Sequence, residues 1–130
     1  MRATTKLLLT IAVGADVTVS GGNFNQTGTG DVDFGATVKT SGGFATFTGN
    51  VELIGTAAVS TAGGNVSFLG TLDGTQDFTV TAATGDVLFN GDVGAVAPLG
   101  ALTIQSADDV AFNGSVSALS LTQVSGTGET

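Results

Sequence analysis

A five-residue pattern, Phe-x-Gly-x-Val or a close relative, returns five times along this chain: at Phe34–Val38, Phe47–Val51, Phe68–Leu72, Phe89–Val93 and Phe112–Val116. A looser copy, Val19–Asn23, precedes them. The later copies stand 21, 21 and 23 residues apart, the earlier ones 15 and 13. Repetition at about 20 residues belongs to chains that build one supersecondary unit and stack it, since a lone unit cannot bury its own apolar face. One such array accounts for residues 1–130 as a single domain.

Alignment on the Phe column exposes the unit. The column holds Val19, Phe34, Phe47, Phe68, Phe89 and Phe112; two residues earlier stand Val17, Val32, Ala45, Val66, Val87 and Val110. Two residues later come Gly21, Ala36, Gly49, Gly70, Gly91 and Gly114, and after two more Asn23, Val38, Val51, Leu72, Val93 and Val116. Intervening positions are polar or small, apart from Leu69, Leu88 and Ala111. An apolar period of 2 predicts a strand with one buried face. A second strand is expected eight or nine residues upstream, at Leu9–Ile11, Ala57–Val59, Phe78–Val80, Leu102–Ile104 and Leu119–Leu121. The only proline, Pro98, lies in a longer insertion, Gly94–Gly100, where no ladder donor would be missed.

Strands of an antiparallel sandwich differ from one another, because each has its own depth and neighbours. Here equivalent positions carry the same residue type unit after unit, so like is expected to stack on like. The fold predicted is all-β: a parallel β-solenoid (β-helix) of about six coils, each about 4.8 Å above the last. The Gly/Ala column is expected at a bend, where a Cβ would collide or φ must be positive. The two short spacings imply either a narrower coil at the start or a strand skipped around Phe24–Val38.

The inward ladder is therefore expected to comprise Phe34, Phe47, Phe68, Phe89 and Phe112 with Val32, Val66, Val87 and Val110. Three residues before the Phe column runs an Asx column, Asp16, Asp31, Asn65, Asp86 and Asp109, interrupted by Phe44. Carboxylates stacked one strand apart repel, and Ca²⁺ or a raised pKa would relieve them. Asn65 serves equally well in that column, which favours a structural role: side chains accepting hydrogen bonds from turn amides.

Composition removes most chemistry. The formal charge is −8, with eleven acids against Arg2, Lys6 and Lys39. Such a surface repels phosphate backbones and has no basic stripe, so nucleic acid is not an expected partner. The chain has no Cys and no His, which removes disulfides, thiol chemistry and the usual zinc or copper ligands. No cofactor or metal is expected. No run of 18 apolar residues exists to span a membrane as a helix. Arg2 and Lys6 before Leu7–Val13 have the outline of a short signal peptide. However, Leu9–Gly21 aligns without a gap on Leu102–Gly114, sharing Leu-Thr-Ile and Asp-Val, which favours its being part of the fold.

Parallel β-helices also host polysaccharide-degrading enzymes, and Asp86 with Asp109 could supply the minimal carboxylate pair. Asp108 would point the other way. With no His, Tyr or Trp, nothing orients or stacks a sugar, so the chain is read as non-enzymatic. Gly28–Asp33 lacks the spacing of a calcium-binding nonapeptide, and Thr-x-Thr at Thr27–Thr29 and Thr79–Thr81 does not recur in register as an ice-binding face needs.

The units Gly85–Val93 and Asp108–Val116 resemble the repetitive β-solenoid stretches of large bacterial secreted and surface proteins, such as filamentous-haemagglutinin-like exoproteins and autotransporter passengers. The resemblance implies an exported, elongated structural or adhesive protein at the cell surface or outside it. The chain enters already in repeat and stops partway through a coil, so both ends are expected to be uncapped. The expected partners are further copies stacked axially into a fibre. Alternatives are a stalk segment of a giant adhesin, or a carbohydrate-binding or polysaccharide-degrading module.

Overall fold

The computed structural model describes residues 11–130, and side chains from Val13 onward. The chain climbs a parallel β-solenoid with three strands per coil. The first coil comprises β1 (Ile11–Val13), β2 (Val17–Val19) and β3 (Phe24–Gln26). The second holds β4 (Val32–Phe34), β5 (Thr37–Thr40) and β6 (Ala45–Phe47), and the third β7 (Val51–Leu53), β8 (Ala57–Thr61) and β9 (Val66–Phe68). The fourth holds β10 (Leu72–Asp73), β11 (Phe78–Thr81) and β12 (Val87–Phe89), and the fifth β13 (Leu99–Ser106) and β14 (Val110–Phe112). Above them β15 (Ala118–Gln123) begins another turn. No helix occurs among the described residues.

Equivalent strands pair in parallel into three sheets. The first is β1-β4-β7-β10, continued by bridges from Leu72 to Val93 and Val93 to Val116. The second is β15-β13-β11-β8-β5-β2 and the third β14-β12-β9-β6-β3. The column makes about five turns rather than six, because Phe34 and Phe47 share one coil.

That sharing corrects the expected ladder. Phe34 belongs to the first sheet, facing Leu53 above and Val13 below, and Val32 faces Val51. Phe47, Phe68, Phe89 and Phe112 form the ladder of the third sheet, with Gln26 beneath them. Val66, Val87 and Val110 stack as expected, over Ala45 and Phe24. Val19 lies in the second sheet, facing Thr40. Neither reading of the short early spacings holds: the first two coils each have their full three strands, and Phe34 and Phe47 lie on different sheets of the second, with β5 between them.

The same offset governs the start of the chain. Ile11 pairs with Val32 in the first sheet, whereas Ile104 lies in the second. The alignment of Leu9–Gly21 on Leu102–Gly114 is thus displaced by one face, and Leu9 itself lies outside the described residues. In the upstream strand Ala57, Phe78 and Leu102 are in register, but Leu121 takes the place above Leu102 and Leu119 points out.

Period-2 alternation explains the strands of the middle coils: inward residues are buried and outward ones are not, as in the alternating pattern of β8. The interior is filled by Phe34, Phe47, Phe68, Phe78, Phe89, Leu72, Leu99, Leu102 and Ile104. Phe78, from the second sheet, meets Phe68 edge-on at 5.5 Å and 86°, closing the triangle between sheets. Each such burial contributes roughly 1.5–3 kcal/mol. It requires a coil above and a coil below, so a coil's stability is lent by its neighbours.

Candidate functional site: corner ladders, acidic face and open coil

Where the chain turns from the second sheet to the third, two columns of residues hold the corner. Gly22, Gly43, Gly64 and Gly85 are stacked so closely that a Cβ on any of the upper three would enter the carbonyl oxygen of the glycine below. Beside them run Asn23, Phe44, Asn65, Asp86 and Asp109. Asn23 Oδ1 accepts the N–H of Phe44 at 3.0 Å, Asn65 Oδ1 that of Asp86 at 2.9 Å, and Asp86 Oδ1 that of Asp109 at 3.2 Å. Asp109 Oδ1 in turn accepts the N–H of Glu129 at 2.7 Å. Each Asx side chain satisfies a backbone donor one coil up that the sharp corner would leave without a partner.

The expected Asx column is therefore split among three corners. Asn65, Asp86 and Asp109 form one ladder. Asp16 stands between the first and second sheets, its Oδ1 accepting the N–H of Thr37 at 3.0 Å. Asp31 stands where the chain enters the first sheet, below Asn50 and Asp92, which accept the N–H groups of Thr71 (3.1 Å) and Ser115 (2.9 Å). Sequence reading missed Asn23, Asn50, Asp73, Asp77 and Asp92 in this role. The signal was present for four of them, each an Asx just before a strand or its bridge residue; Asp73 instead ends β10 on the outer face.

Gly49, Gly70, Gly91 and Gly114 form the expected glycine column after the Phe ladder. The cause is collision, since a Cβ at Gly70 would lie 2.7 Å from the Gly49 carbonyl oxygen. Gly21 belongs instead to a turn column with Gly42 and Gly63, where φ is +80°, +97° and +120°. Ala36 is buried between β4 and β5.

At the foot of the Phe ladder, Gln26 is buried with both polar atoms of its side-chain amide hydrogen-bonded. Its Oε1 accepts the N–H groups of Thr48 (2.9 Å) and Gly49 (2.8 Å), and its Nε2 donates to the Gly28 carbonyl at 2.6 Å. Above Gln26 the rings of Phe47, Phe68, Phe89 and Phe112 lie 4.8, 5.3 and 4.9 Å apart, within 4° of parallel.

The outer face of the first sheet is acidic. Asp33 faces Glu52 and Glu52 faces Asp73, with Asp31 beside them. These acids, except Asp33, share a shallow cavity of about 300 Å³ with Asn50, Thr71, Val96 and Ala97. Asp73 Oδ1 accepts the N–H groups of Val96 (2.9 Å) and Ala97 (3.3 Å), so it also anchors the Gly94–Gly100 insertion. Among the described residues no three His, Cys, Asp or Glu side chains converge where they could hold a metal ion. Asp86 and Asp109, the minimal carboxylate pair, are joined through a corner hydrogen bond rather than set across a cleft.

At the top of the column the interior rows are uncovered. Phe89, Val93 and Leu102 are at most 1% exposed, whereas Val116 is 37% and Leu121 49% exposed and Phe112 is only half-buried. Gly126–Glu129 cross the corner beside β14, with Val110 donating to the Glu129 carbonyl at 2.8 Å. Gln123 takes the place above Ile104, so this row, like the Phe ladder at Gln26, ends in an amide. Compared with known proteins, the chain matches no protein family model, no curated protein and no solved structure.

Proposed function

We propose that this chain is a non-enzymatic, extracellular structural solenoid whose coils continue end to end into a fibre. The observation that carries the reading is the uncovered coil of β14 and β15. Its inward residues become buried elsewhere as soon as another coil lies above them, and its strand edge presents backbone groups ready to pair. A heterologous contact of this kind runs on into a filament unless its rotation closes. The acidic surface and lack of Cys suit a molecule working outside the cell.

Electron microscopy of purified chain should show unbranched filaments, and oriented samples should give a strong meridional repeat near 4.8 Å. Dispersed monomers at every concentration would remove the reading. A stalk segment of a giant adhesin is the second reading, because a further coil of the same polypeptide fits the same uncovered edge. It predicts more repeats of this grammar in the full reading frame and an extended rod that does not polymerise.

A further inference from the structure

We propose that the Asn90–Gly91 pair is a site of self-modification. The Asn90 side-chain amide closes onto the Gly91 nitrogen, loses ammonia and opens in water to an aspartyl or isoaspartyl residue, with Asn113 assisting the ring closure. Asn-Gly occurs twice in the chain, at Asn90–Gly91 and Asn113–Gly114, each time directly after a ring of the Phe ladder. At Asn90–Gly91 the corner leaves the nucleophile open and polarises the carbonyl that it attacks.

The nucleophile is the Gly91 nitrogen. Position 91 demands glycine, since a Cβ there would enter the Gly70 carbonyl oxygen, so no side chain screens that nitrogen. Two coils below, the Gly49 N–H is held by Gln26 Oε1 at 2.8 Å. The place of Gln26 beneath Gly91 belongs to Phe68, whose side chain carries no oxygen to accept the Gly91 N–H. The electrophile is Cγ of Asn90, an exposed residue that water reaches. Asn113 Nδ2 donates to Asn90 Oδ1 at 3.2 Å, whereas Asn90 Nδ2 reaches the Leu69 carbonyl only at 3.4 Å. A donor on Oδ1 draws electron density from Cγ and holds the negative charge that gathers on the oxygen when nitrogen adds. The leaving nitrogen is loosely held.

In the first step the Gly91 nitrogen gives its proton to hydroxide or a buffer base and bonds to Asn90 Cγ. The Cγ–Nδ2 bond then breaks, ammonia departs and a succinimide ring remains. Water adds to one of the two ring carbonyls. Attack at the former side-chain carbonyl restores the main chain with an aspartyl residue. Attack at the main-chain carbonyl leaves an isoaspartyl residue, which puts one extra carbon into the backbone between Phe89 and Val93, both buried. Either product adds a negative charge beside Asp92. Asn113 is a positioning residue in this scheme, lending its donor to the reacting oxygen.

The test incubates the full chain and Asn113→Ala at neutral and mildly alkaline pH, with circular dichroism to confirm that both are folded. Peptide mapping by mass spectrometry follows isoaspartate at position 90. In the parent it should accumulate, faster as pH rises, because the Gly91 nitrogen must lose its proton. Asn113→Ala should slow it by about three- to tenfold, the worth of one exposed neutral hydrogen bond. A merely structural Asn113 predicts the opposite sign, since a looser corner reaches the ring-closing geometry sooner. Asparagine persisting at position 90 through prolonged incubation would overturn the site, and aspartate forming without isoaspartate would overturn the ring closure. Conversion in Asn113→Ala as fast as in the parent, or faster, would overturn the role of Asn113.

Discussion

The rings of Phe47 and Phe68 lie face to face, their centroids 4.8 Å apart and their planes 2° from parallel. That separation is the spacing of hydrogen-bonded strands, so the backbone ladder sets the stack and the rings fill it. Phe68 is enclosed by Phe47, Phe89 and the edge of Phe78, and Phe68→Ala leaves a hole that its neighbours on fixed strands cannot close. The expected loss is about 3–5 kcal/mol. Phe24, in the first coil, faces Ala45 on the third sheet, and its ring centroid lies 5.1 Å from that of Phe47. It is only half-buried, and Phe24→Ala should cost clearly less, about 1–2 kcal/mol. Urea denaturation of the two variants checks the order; equal costs would contradict it.

Gly64→Ala tests the corner. The added methyl would lie 2.7 Å from the Phe44 amide nitrogen and closer still to the Gly43 carbonyl, and both are backbone atoms that cannot step aside. The expected destabilisation is at least about 1–3 kcal/mol. Gly14→Ala meets nothing within 4 Å and should change stability by less than about 0.5 kcal/mol. Thermal melts that rank the pair otherwise would contradict the close stacking.

Asp86→Ala removes the acceptor for the Asp109 N–H, while Asp86→Asn keeps an oxygen in its place. The alanine variant should lose about 0.5–1.5 kcal/mol and the asparagine variant little of that. Hydrogen exchange at the Asp109 amide should accelerate in the first and stay near the parent rate in the second. Acceleration in both would mean that charge, not acceptor geometry, holds the corner.

Gln26→Leu is a near-isosteric change that brings an apolar side chain to the foot of the Phe ladder. It nevertheless strips the buried Gly49 N–H of its Oε1 acceptor and the Gly28 carbonyl of its Nε2 donor. A cost of about 1–3 kcal/mol is expected, because unsatisfied buried groups outweigh the apolar gain. A more stable variant by denaturant titration would show that water reaches the corner.

Fold class was legible because stacking makes equivalent positions alike: the Val66, Val87, Val110 and Phe68, Phe89, Phe112 columns can be read straight off the chain and do stack. Register in the first two coils was not. All three sheets use the same inward–outward–inward triplet, and Val-Asp-Phe in β4 looks like Val-Ser-Phe in β9 although they lie on different faces. A pattern shared by every face cannot say which face a strand occupies. The 21-residue spacing of Phe47, Phe68 and Phe89 carried back into the first two coils would have settled the register: Asp16 and Thr37, Asn23 and Phe44, Asn50 and Thr71, and Asn65 and Asp86 are each 21 residues apart. The corner residues were half legible for the same reason. The column chosen by distance from Phe collected Asp16 and Asp31 from other corners and passed over Asn23, Asn50 and Asp92.

The recurring offset of 21 residues has a genetic consequence. Excising or duplicating one rung in the gene shortens or lengthens the rod by about 4.8 Å and leaves every remaining side chain over an equivalent one. An insertion of one amino acid inside a strand has no such escape unless a bulge absorbs it, for it turns the apolar groups of that strand outward. Variation among descendants of such a molecule should therefore come in whole rungs, making its length evolutionarily adjustable while its cross-section is held nearly fixed.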